Sequence, residues 1–167
     1  MKKALLFMTI VVALALLSCG AKGDPEIENK IAGTWTAEGD ITEDGIDMHA
    51  SVSTHYDADS HKFSAEGKCT QSYMGYRIGS FTMYAEGKWS ATKDEIIEEY
   101  DMDKVRVEFS YDYLENCGMS EAEARKGFME GLKPDMSKPQ KFKLRLISDN
   151  EMEQTDSDGL TWTYYRQ

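Results

Sequence analysis

The stretch that decides the fold is GTWTAEGDIT, Gly33–Thr42. Its period is two: Trp35, Ala37, Gly39 and Ile41 fall on one face of an extended chain, and Thr34, Thr36, Glu38 and Asp40 on the other. The Ala-Glu-Gly at its centre returns in FSAEGKCT, Phe63–Thr70, and in MYAEGKWS, Met83–Ser90. In each copy Ala and Gly share the apolar face, while Glu points to water. Small residues set against large ones on neighbouring strands are how a barrel interior interdigitates or turns a corner.

The alternation continues outward from this stretch. TEDG makes a turn, and Ile46, Met48, Ala50, Val52 and Tyr56 then form an apolar face. Phe63, Ala65, Gly67, Cys69 and Tyr73 form the next. A long strand, Arg77 to Ala91, carries Phe81, Met83, Ala85, Gly87 and Trp89. The following segment, EIIEEYDMDKVRVEFSY, changes parity near Asp103 and reads as one bulged long strand or two short ones. A capping box at Ser120–Glu123 opens a helix over 120–132, stopped by Pro134. Strands Lys141–Ile147, Glu151–Thr155 and Leu160–Arg166 close the chain.

Counting the fifth segment once, the chain predicts an all-β, eight-stranded antiparallel up-and-down barrel with one short helix inserted between strands five and six. A two-sheet sandwich fits the same alternation; sequential hairpins without long crossovers favour the barrel. With MGY as a three-residue connection, strands three and four pair so that Phe63 faces Gly87, Ala65 faces Ala85 and Gly67 faces Met83. If Ile41 pairs with Ile46, Gly39 faces Met48.

The N-terminus has a different character. MKK and an unbroken apolar run lead to Leu16-Leu17-Ser18-Cys19-Gly20, which resembles the leader and lipobox of bacterial lipoprotein precursors. The resemblance implies a signal peptide over 1–18, acylation of Cys19, and anchoring in the cell envelope through several buried acyl tails. Gly20 in place of Asp implies the outer membrane. Residues 19–30 read as a polar tether, and 31–167 as the domain.

Lys30-Ile31-Ala32-Gly33-Thr34-Trp35, with the ending TWTYYRQ, resembles lipocalin-like (calycin-type) lipoproteins of Bacteroidetes-type bacteria. That resemblance implies a structural pair, Trp35 and Arg166, in which the last-strand guanidinium covers the indole and closes one barrel end. It also implies a small apolar or amphipathic ligand inside the barrel. The apolar faces nominate Met48, Phe81, Met83, Trp89, Tyr100 and Trp162 as its lining. In typical lipocalins the helix follows the last strands, so its earlier position here leaves access to the mouth open. The alternative function is a filled barrel serving as a protein–protein interaction or inhibitor module.

The net charge of −11 argues against nucleic acid or an anionic bilayer surface as a partner. No phosphate loop, nucleophile elbow or Cys-x-x-Cys is present, so neither an enzyme nor a cofactor is expected. His49, His55 and His61 are too far apart along the chain for a metal expectation. Ten methionines suit a deformable core or an adaptable pocket. Glu98 is an inward carboxylate if the parity break follows it and an exposed one if the break precedes it. Whether Cys69 and Cys117 form a disulfide is left open by the sequence.

Overall fold

The computed structural model describes residues 23–167 except Asp44; the leader and Cys19 lie outside the described residues. In chain order the elements are α1 (Pro25–Ile31), β1 (Gly33–Glu43), β2 (Ile46–Asp57), β3 (Lys62–Tyr73), β4 (Tyr76–Ala91), β5 (Glu95–Tyr100), β6 (Arg106–Phe109), α2 (Tyr111–Cys117), α3 (Glu121–Met136), β7 (Gln140–Ser148), β8 (Glu151–Thr155) and β9 (Thr161–Arg166). Eight strands close into an antiparallel barrel: β1 to β5 in sequence, then β7, β8 and β9, with β9 returning to β1. Among the described residues no helix is long and apolar enough to cross a membrane.

The long fifth segment is two strands on one edge of β4. β5 pairs with Gly87–Ala91 and the ninth strand, β6, with Phe81–Tyr84. The residues between them form a loop that the Asp101 N–H fastens to the Glu86 carbonyl. Both remaining helices, α2 and α3, follow β6 and precede β7.

Strands β3 and β4 pair with Phe63 opposite Gly87, Ala65 opposite Ala85 and Gly67 opposite Met83, the register expected from the MGY connection. Their connection is tighter than three residues, however. Tyr73 pairs with Tyr76 around Met74-Gly75, and an irregularity beside Gly79 restores the register. Met74 and Gly75 both have positive φ, +51° and +81°, the conformation of a two-residue hairpin whose twist matches its strands. Across the β1–β2 hairpin Ile41 faces Met48, and Gly39 faces Ala50 rather than Met48. Glu43 pairs with Ile46 there, so the pairing runs two residues beyond Ile41.

Three helical details depart from the sequence reading. Part of the expected tether is helix α1. Asp24 caps it, its carboxylate accepting from the Glu26 N–H, Pro25 stands in its first turn, and Ile31 is buried. Helix α2 begins at Tyr111, where the expected strand segment ends, and covers residues for which the sequence predicts no element; Ser110 caps its start and Gly118 ends it in the left-handed conformation. Helix α3 runs past Pro134 to Met136, which is buried in the core. Packing of Leu132 and Met136 against Ala85 and Val105 outweighs the hydrogen bond that proline cannot donate.

Candidate functional site

The α1 end of the barrel is closed by a compact set of contacts. Trp35 is fully buried and its Nε1–H donates to the Ile31 carbonyl at 2.6 Å. The Arg166 guanidinium lies over the indole, its Cζ 4.3 Å from the ring centroid, an arrangement in which the cation meets the electron-rich ring face. The same guanidinium donates to three backbone carbonyls: Ala32 at 2.6 Å, Asp149 at 2.8 Å, and Lys30. The Ala91 N–H donates to the buried Glu28 carboxylate at 3.2 Å, which fastens α1 across β4.

Deeper in the barrel stands Glu98, inward-facing and only 5% exposed. Its partners are two tyrosines. The Tyr56 hydroxyl donates to Oε1 at 2.5 Å and the Tyr100 hydroxyl to Oε2 at 2.7 Å. The Gln154 amide donates in turn to the Tyr56 oxygen at 3.3 Å. Burial penalises the carboxylate and raises its pKa, against the two hydroxyls that lower it. Burial and the nearby carboxylate also push Tyr56, Tyr100 and Tyr164 above the usual phenol range.

A pH dependence follows. Because Glu98 binds its proton more tightly when folded, its contribution to stability is greatest below the ordinary carboxylate value of 4.5 and declines as pH rises through the folded value. Glu98→Gln should therefore flatten the melting temperature against pH above 4.5, where the wild type slopes downward. Thermal melts of both proteins over pH 4–8, roughly the range in which carboxylates with raised pKa titrate, check this; parallel curves would refute it.

The three Ala-Glu-Gly glycines occupy three different environments. A β-carbon at Gly87 would lie 2.2 Å from the Glu99 carbonyl oxygen and 2.6 Å from Phe63 Cε1, so that site is full. At Gly39 it would meet the Trp162 ring at 3.0 Å. At Gly67 it would meet nothing within 4 Å. Gly67 faces inward between Phe63 and Cys69, both core residues, and its cross-strand partners Val52 and Met83 are only half-buried. A β-carbon at Gly67 would thus enter open space.

The six nominated lining residues divide accordingly. Trp89 packs in the Trp35 cluster, its Nε1–H donating to the Asp57 carbonyl at 3.1 Å. Met48 and Phe81 pack with Cys69 and Val107 beneath Tyr113 and Phe128. Met83, Tyr100 and Trp162 keep partial exposure, with Met83 opposite the open space and Trp162 against Gly39. Tyr100 sits between the Trp35 cluster and the α3 cluster.

Outside the barrel, β1 and β9 stop pairing after Thr36–Tyr165. A groove of about 790 Å³ lies there, lined among others by Glu38, Asp40, Ser51, Lys68, Trp162 and Tyr165. The histidines remain separate: His49 beside Asp40, His55 beside Thr34 and His61 beside Glu28. Among the described residues no group of three His, Cys, Asp or Glu side chains is placed to hold a metal ion. Cys69 and Cys117 are both thiols; burial pushes Cys69 up to about 11.

No family model matches the chain, and no curated protein matches it in sequence. A solution NMR structure of a protein from Burkholderia xenovorans is similar over 92% of this chain and 95% of that one, at 8% identity and a TM-score of 0.36.

Proposed function

We propose that this is a lipocalin-like lipoprotein of the bacterial envelope, anchored through Cys19, most simply in the outer membrane, that holds a small apolar or amphipathic molecule midway along its barrel. The observation that carries the reading is the open space beside Gly67. It is bordered by Val52 and Met83 and lies between a packed Trp35 end and an end filled by α2 and α3. Apolar walls with a few polar groups are the usual make-up of small-molecule sites. The leader and Cys19 support the anchor, and the Trp35–Arg166 pair supports the lipocalin-like assignment. No catalytic step is assigned, since Glu98 is enclosed by hydroxyls it already accepts from.

Native mass spectrometry of the acyl-free domain, with a fluorescent fatty acid as added probe, tests the site. The expected result is a bound small molecule or probe uptake by the wild type. In Gly67→Leu both are lost or cut at least tenfold while the melting temperature stays within a few degrees. No bound molecule and no probe uptake by the wild type, or equal binding by both proteins, would overturn the reading. A filled barrel acting on a protein partner is the second reading. It draws on the complete packing of Met48, Phe81 and Trp89, half of the nominated lining.

A further inference from the structure

Four large side chains are displayed to solvent at the barrel end opposite α1. Tyr73, Met74 and Tyr76 form the β3–β4 hairpin tip, 48%, 74% and 81% exposed. Tyr111, 79% exposed, opens α2, whose Asp112 pairs with Arg77, the neighbour of Tyr76, at 3.2 Å. Tyr and Met are the residue types enriched at the buried centres of protein interfaces.

The turn itself argues that Met74 is not kept for folding. It holds a left-handed conformation, φ +51°, at the first central position of a two-residue hairpin. Asn or Asp suits that position, and a longer side chain there is strained. The side chain offers no packing in return, being three-quarters exposed. Strain held at an exposed position points to use rather than stability.

We infer that this tip is a docking knob for a protein whose apolar cleft is bordered by basic side chains. The knob projects, so its counterpart is concave. Asp47 lies one residue from Ile46, the β2 partner of Tyr73, Asp112 beside Tyr111 is offset by Arg77, and the whole chain carries −11. Basic groups on the partner complement this charge, and an anionic bilayer is repelled by it. Placement argues the same way. The chain enters the barrel at α1, which is bonded to Ala91, and the tip lies at the far end of the twelve-residue β3, roughly 40 Å of strand away. If Cys19 is the anchor proposed above, the knob is held away from the bilayer.

The test places a photo-cross-linking amino acid at Ser72, which pairs with Arg77, in the full-length anchored chain. The expected result is one discrete protein adduct that disappears in Tyr76→Ser and Met74→Asn and weakens at least several-fold in high salt. Met74→Asn should melt at the same temperature or higher, because Asn suits the turn, so loss of the adduct is not loss of fold. An adduct unchanged by both substitutions, or no adduct, would overturn the inference. So would sedimentation of the acyl-free domain with phosphatidylcholine–phosphatidylglycerol vesicles that depends on Met74.

Discussion

Gly79→Ala should lower the melting temperature by about 10–15 °C or prevent folding outright. Gly79 sits at the irregularity in β4 with φ +145°, a backbone conformation that side chains rarely adopt. Its missing β-carbon is also the space that α2 occupies, since a methyl there would stand 2.4 Å from the Tyr113 backbone nitrogen. Backbone strain of this kind costs about 1–3 kcal/mol and overpacking a further ~1–3 kcal/mol. In a domain of this size each kcal/mol moves the melting point by roughly 2–4 °C. Gly118→Ala supplies the control. Its φ is also positive, +63°, but nothing lies within 4 Å of the new methyl. It should show only the strain, about 1–2 kcal/mol. Thermal denaturation of the two variants separates the terms, and equal losses would mean that α2 does not depend on the close approach at Gly79.

Arg166→Ala should cost about 3 kcal/mol, or roughly 10 °C, and Arg166→Lys should recover little of it. The guanidinium satisfies the carbonyls of Lys30, Ala32 and Asp149 at once and lies over Trp35. Charge-assisted hydrogen bonds contribute about 1.5–3 kcal/mol each and are not additive; the ring contact adds about 0.5–2 kcal/mol. A lysine ammonium cannot span three acceptors in one plane while stacking on an indole. Hydrogen exchange should show the first amides of β1 and those of α1 losing protection together. Protection unchanged in Arg166→Ala would show that Trp35 alone holds the closed end.

Much of this architecture was written in local pattern. Alternation set the inward faces of β1 to β4, and the pairing of Phe63 with Gly87 followed from a three-residue MGY connection, a register that the shorter turn keeps only through the irregularity beside Gly79. What the pattern could not carry was the opposite wall. The three motif glycines look equivalent in sequence, yet one abuts β5, one lies against Trp162 and one faces open space. Those differences depend on residues dozens of positions away.

Glu98 shows the same limit. Its inward direction hung on where the parity break fell, and its tyrosine partners come from β2 and from its own strand. Helix α1 did carry readable signals in Asp24, Pro25 and Lys30. A seven-residue helix is marginal alone, however, and Glu28 and Ile31 form it by docking. Helix α2 had Ser110 and Gly118 as its brackets, but its aromatic sequence reads equally well as strand.

The pairing of Trp35 with Arg166 has a kinetic side. It brings together the first strand and the last, so the ring closes through one of the longest loops in the chain. Hairpins β1–β2 and β3–β4 can form locally, whereas the seam waits on a contact between residues 134 positions apart, Ala32 and Arg166. Folding rates fall as contacts grow more distant in sequence. An incomplete chain therefore holds seven or eight strands as an open sheet with two exposed edges, each a template for pairing with another molecule. The last two residues of β9 act as the latch that ends this exposure, and their arrival separates an aggregation-prone sheet from a sealed barrel.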